Sequence, residues 1–73
     1  MKLTQTAPDT FGVIKKIDGD EHFINRITSI GITHGVEFQT IKNDKRMPVL
    51  VFLRETLIAL NRSDAERTEV TVK

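Results

Sequence analysis

The stretch Arg26–Ile41, RITSIGITHGVEFQTI, changes from helical to extended apolar spacing within a few residues, and the rest of the chain is best read outward from that junction. Upstream, Phe23, Ile24, Ile27 and Ile30 follow the i, i+1, i+4, i+7 spacing of one helix face. Gly31 stands where a left-handed residue commonly closes a helix, so the helix is expected to end there. After Ile32, Thr33 and His34, Gly35 supplies a second permissive backbone position. Val36 and Phe38 then open the period-two alternation of a half-buried strand.

Length and composition bound what surrounds this junction. The 73 residues are read as a single domain, 1–73. At this size folding buries only about 60% of the surface of the unfolded chain, so the core must be small. With no cysteine there is neither a disulfide framework nor a thiolate metal cage. Stability must come from aliphatic packing or a partner, and reducing cytoplasm is the expected setting. Met1–Gly12 carries one basic residue and no long apolar block, which argues against a secretory signal. The longest apolar run, Val49–Leu53, is far shorter than the roughly 20 helical residues that cross a bilayer, so no direct membrane insertion is expected. Eleven basic and ten acidic side chains leave a net charge of +1, too little to concentrate nucleic acid or anionic lipid.

Along the chain, Leu3–Thr10 lacks periodicity and reads as an extended or one-turn segment that docks Leu3 on the core. In Phe11–Ile17, Phe11, Val13 and Ile17 share one face of a regular strand while Ile14 takes the other, which calls for burial on both sides or a bulge. Asp18, Gly19 and Asp20 make a turn, Asp18 and Glu21 have capping-box spacing, and a helix of about ten residues follows to Ile30. A second strand runs from Val36 to about Lys42, with a bulge near Thr40 to reconcile Ile41 with Val36 and Phe38. Asn43–Arg46 is a polar hairpin tip. Pro48–Arg54 is the most apolar strand, with Val49, Val51 and Leu53 opposite Leu50 and Phe52, and is expected to be central. Leu57–Leu60 reads as a short strand, Ser63 and Glu66 as a second capping box on one helical turn, and Val70 and Val72 as a closing strand. The expected fold is therefore mainly β, a small barrel of about five antiparallel strands. One α-helix after the first strand plugs an open end, and one helical turn precedes the last strand.

The segments GVIKKIDG at Gly12–Gly19, RITSIGITHGVEF at Arg26–Phe38, PVLVFL at Pro48–Leu53 and LIALNRSDA at Leu57–Ala65 resemble the FeoA family, ferrous iron transport protein A. They are also similar to the C-terminal domain of some metal-dependent transcriptional repressors. The arginine, Gly31, Gly35, Pro48 and the Ala59, Leu60, Asp64, Ala65 grouping stand in the family's order and spacing. The resemblance implies an SH3-like barrel acting in the cytoplasm as a non-catalytic accessory protein of the membrane GTPase transporter FeoB. The alternative it implies is a detached regulatory domain of the repressor type. Three departures bear on partner choice or path. Arg46, Met47 and Pro48 replace a frequent Gly-Asp-Pro hairpin, Glu55 replaces a frequent glycine, and Thr6–Gly12 lacks the usual Pro-Gly-like turn.

The chemistry-bearing residues are few. His22 and His34 are the only imidazoles and lie twelve apart, whereas a metal site needs three or four convergent ligands. Acids around His22 fit a helix start, where they cap amides, and His34 fits a turn between two glycines. No metal or cofactor is expected. Without a cysteine, a nucleophile elbow or a phosphate-cradling glycine loop, no catalytic residue is assigned. With no Trp or Tyr, and with all four Phe at core-like positions, a polyproline groove and a single-strand stacking platform are both disfavoured. The residues left for partner contact are Arg26, whose guanidinium is expected to pair with an acid such as Asp20 or with a partner carboxylate, and Lys45, Arg46 and Met47 at the hairpin. Gly31, Gly35 and Pro48 are assigned structural roles. Weak self-association through short sheet edges is a further expectation.

Overall fold

A computed structural model describes residues 1–73. A 3-10 turn at Leu3–Gln5 is followed by β1 (Phe11–Ile17), α1 (Glu21–Ser29), β2 (Glu37–Lys42), β3 (Val49–Leu53), β4 (Thr56–Leu60), α2 (Arg62–Ala65) and β5 (Thr68–Val72). The five strands form one antiparallel sheet in the order β4-β3-β2-β1-β5. The element set is that of an SH3-like small barrel, but β4 and β5 do not pair, so the sheet curls without closing. The expected small barrel is therefore an open, curled sheet with two edge strands, β4 and β5. The most apolar strand, β3, is interior as expected, although the middle place belongs to β2.

The junction at Gly31 behaves as its spacing dictates. Ile30 caps α1, and Gly31 follows at φ 106°, a backbone region that costs an L-residue about 1–2 kcal/mol. Gly35 adopts φ 87° before Val36 turns inward. The helix start differs from the expected Asp18 box. Asp20 is the N-cap, its carboxylate accepting the Phe23 N–H at 2.8 Å. At α2, Asn61 precedes the helix without a side-chain cap, and Ser63 lies inside it.

Both expected bulges are present, as register shifts between Ile14 and Lys16 in β1 and between Thr40 and Lys42 in β2. They bend the two strands that must wrap the core. That core is Leu3, Ile14, Phe23, Ile27, Ile32, Val36, Phe38, Val49, Val51, Leu53, Leu60, Ala65 and Val70. Phe23 and Ile27 are the contribution of α1, whereas Ile30, assigned to the same helix face, is exposed. In β1 the bulge separates Phe11 from Ile17: Gly12 and Ile14 are buried, Phe11 faces outward, and Ile17 packs against the core. The three buried threonines, Thr6, Thr40 and Thr68, are all paired. Thr6 and Thr40 hydroxyls lie 2.7 Å apart, and the Thr68 hydroxyl donates to Asp64 O at 3.1 Å.

The two sheet edges are treated differently. Along β5 the chain's own start is laid down as a partial sixth strand: the Val70 N–H donates to Met1 O at 2.7 Å, and Lys2 bridges Glu69. Leu3, fully buried, anchors that segment. The outer side of β4 has no neighbouring strand.

Candidate functional site

The outer face of the sheet carries an apolar row produced by strand register. Phe11 pairs with Gln39, Gln39 with Phe52, and Phe52 with Leu57, so four neighbouring strands contribute one side chain each. Phe11, Phe52 and Leu57 are 56%, 41% and 57% exposed. Beside the row is an open groove of about 380 Å³, lined by Phe11, Phe38, Phe52 and Leu53, with Glu37, Arg54 and Glu55 among its polar rim. Exposed aromatic side chains beside a charged rim are the anatomy of a protein contact.

This groove was missed in the sequence because all four Phe were assigned to the core. Only Phe23 and Phe38 are buried. For Phe52 the signal was present: its parity places it opposite Val49, Val51 and Leu53. For Phe11 the buried backbone of Gly12 and the inward side chain of Ile14 decide the matter, and the bulge beyond Ile14 hid the parity.

The residues singled out for partner contact are not brought together with the groove. Lys45, Arg46 and Met47 are exposed in the β2–β3 connection, at the end of β3 remote from Leu53 and Arg54. The connection is held rather than loose. Arg62 Nη1 donates to Asn43 Oδ1 at 2.8 Å, to Asp44 O at 2.7 Å and to Met47 O at 3.1 Å. Asn43 Nδ2 in turn donates to Thr6 O at 2.6 Å and Thr4 O at 2.9 Å, tying the hairpin to the start of the chain. Pro48, exposed, leads directly into β3.

Arg26 pairs with Asp64, not with Asp20. Its Nη1 and Nη2 donate to Asp64 Oδ2 and Oδ1 at 3.1 and 3.3 Å, a bidentate fork between α1 and α2. Asp64 is nearly buried, and its hydrogen bond and charge push the Arg26 pKa up, so the guanidinium stays protonated throughout the working range. Arg26 and Arg67 also lie 5.2 and 5.0 Å from the Phe23 ring centroid. His22 and His34 are exposed, and no group of three or more metal-ligating side chains converges. No helix is long and apolar enough to cross a membrane.

The FeoA domain matches residues 1–72, nearly the whole chain. The chain belongs to the FeoA domain family. No functionally curated protein sequence matches it significantly. Among solved structures, an iron uptake regulatory protein, FeoA, superposes with a TM-score of 0.95 at 20% identity, over 100% of this chain and 97% of that one. The zinc-complexed FeoA of Stenotrophomonas maltophilia, described as a prokaryotic SH3-domain protein, gives a TM-score of 0.81 at 24% identity over 97% and 89%. IdeR of T. acidophilum gives 0.88 at 19% identity over all of this chain but only 34% of its own length. At these identities the structural likenesses establish a shared fold, while the FeoA domain match carries the link to iron transport. The departure at Glu55 acquires a structural meaning in this FeoA chain. Arg54 and Glu55 adopt φ 49° and 61°, the two left-handed positions of the β3–β4 hairpin that a glycine would occupy without strain.

Proposed function

We propose that this FeoA protein is a non-catalytic cytoplasmic accessory protein of ferrous iron transport that binds a FeoB-like membrane GTPase transporter and modulates it. The observation that carries the reading is the FeoA domain match over residues 1–72. Modulation requires only that the protein bind one state of the transporter better than another, and that difference in affinity shifts the equilibrium.

The contact face in this proposal is the groove of Phe11 and Phe52, filled by an apolar side chain from the transporter's cytosolic part, with Glu37, Arg54 and Glu55 meeting polar groups at the rim. Lys45, Arg46 and Met47 form a second contact at the far end of the β2–β3 hairpin. Arg26 contributes through the part of its guanidinium surface left free by Asp64. Ferrous uptake and transporter pull-down, with and without the protein, test the function. Phe52→Ser is expected to weaken association by at least about tenfold, as loss of an aromatic anchor does. Absence of both association and any change in uptake refutes the proposal.

The likeness to IdeR, and to a manganese-dependent repressor at a TM-score of 0.90 and 16% identity, motivates a second reading, a detached regulatory domain that binds another protein of repressor type. Capture of a repressor lacking its tail, with no capture of the transporter, favours it.

A further inference from the structure

We propose that β4 is a self-recognition edge, through which two copies of the chain pair antiparallel about a two-fold axis at Ile58 to continue the sheet from one molecule into the next. The surface involved is the edge of β4, which adjoins the candidate site at Glu55 and Leu57, and the inference stands or falls independently of the transporter.

The register of the β3–β4 hairpin fixes which groups are free. With a two-residue turn at Arg54 and Glu55, Leu53 and Thr56 form the first hydrogen-bonded pair, Val51 and Ile58 the next, and Val49 and Leu60 the third. The N–H and C=O groups of Leu57 and Ala59 therefore point away from β3. No loop, cap or side-chain hydrogen bond takes them up. Proteins ordinarily blunt such an edge with a charge, a proline or a covering segment. Thr56–Leu60, TLIAL, has neither charge nor proline. The opposite edge, β5, is covered at Glu69 and Val70 by the chain's own start.

The same strand is complementary to itself. Centred on Ile58, a second copy brings Leu57 opposite Ala59 and Ala59 opposite Leu57, forming two hydrogen-bonded pairs, or four N–H···O bonds. A large side chain meets a small one each time on the outer face, and Leu57, more than half exposed in the single chain, is covered. No like charges meet within the strand. At its ends Glu55 faces Asn61 of the second copy. Arg62, which would oppose Arg54, is turned back onto its own Asn43, Asp44 and Met47. A foreign extended segment would satisfy the hydrogen bonds equally, but only a copy supplies this size match by symmetry. Five residues a side fall far short of the roughly 20–30 of a stable interface, so the expected dissociation constant is about 0.1–1 mM.

The test is sedimentation velocity of the full chain across a concentration series, with isotope-filtered NMR on a mixture of labelled and unlabelled protein. Expected are reversible dimers, an intermolecular contact between the two Ile58 Hα protons, and concentration-dependent protection of the Leu57 and Ala59 amides. Ala59→Lys, which puts like charges beside the axis and leaves every β3–β4 hydrogen bond intact, is expected to weaken pairing at least tenfold with an unchanged circular dichroism spectrum. Ala59→Pro, which deletes an outward N–H, is expected to do the same. Monomers at every concentration overturn the proposal, as does a dimer that survives Ala59→Lys. Amide protection appearing only when a transporter segment is added overturns it in favour of a foreign strand.

Discussion

The two edges of the sheet solve one problem in opposite ways. At β5 the backbone at Glu69 and Val70 is met by Met1 and Lys2 and locked by Leu3 in the core, with Asn43 gripping the carbonyls of Thr4 and Thr6 from the far hairpin. At β4 nothing of the chain's own is laid alongside, and the strand carries Leu57 and Ala59 to the surface. A chain this small cannot cover every edge from its own length. Which edge is sealed therefore distinguishes structure from interaction: β5 belongs to the fold, and β4 is available to another chain.

The most severe way to break this contrast is Leu3→Ala. Removing a fully buried anchor is expected to cost about 2–5 kcal/mol in denaturant unfolding, and hydrogen exchange should show the Val70 amide losing protection before that of Ile58. Equal loss at both edges would show that the first residues are not a seal for β5 alone. Asn43→Ala attacks the same seal from outside. Losing its bonds to Thr4 and Thr6 and the one it accepts from Arg62 is expected to cost about 1–3 kcal/mol and to lower the melting temperature while leaving the β3–β4 ladder intact. At the open edge, Glu55→Gly should sharpen the contrast by stabilising the hairpin that presents β4. Relief of the left-handed backbone, less the added chain entropy of glycine, gives a gain of about 0.5 kcal/mol in thermal or denaturant unfolding.

The elements were legible in the sequence because local signals agreed with one another. The run from Phe23 to Phe38 combined helical spacing, two glycines and a change of period, and α1, the turn and β2 follow it closely. The bulges were legible in position, since Ile14 and Ile41 each break an alternation, but Ile41 stays exposed, so the irregularity past Thr40 does not bring it to the face of Val36 and Phe38. What escaped was long-range. Arg26 finds Asp64 across 38 positions, and nothing near it in the chain ranks that acid above Asp20. The groove escaped because hydrophobicity alone assigned both Phe11 and Phe52 to the core, although the alternation of β3 turns Phe52 outward, while the bulge in β1 obscures the side that Phe11 takes. Their neighbourhood on the outer face is created only when β1, β2 and β3 come into register.

The hydrogen bond from Val70 to Met1, together with that from the Lys73 N–H to Phe11 O, has a consequence for architecture. Both chain ends are fastened near β5, at the opposite end of the strand order from β4, but Lys73 also pairs with Glu37, so a tether at the last residue would emerge beside the groove and one at the first residue along β5. The domain is thereby portable. It can be appended to a larger polypeptide through its first residue, as its counterpart is part of a longer chain in IdeR, with the β4 edge left free.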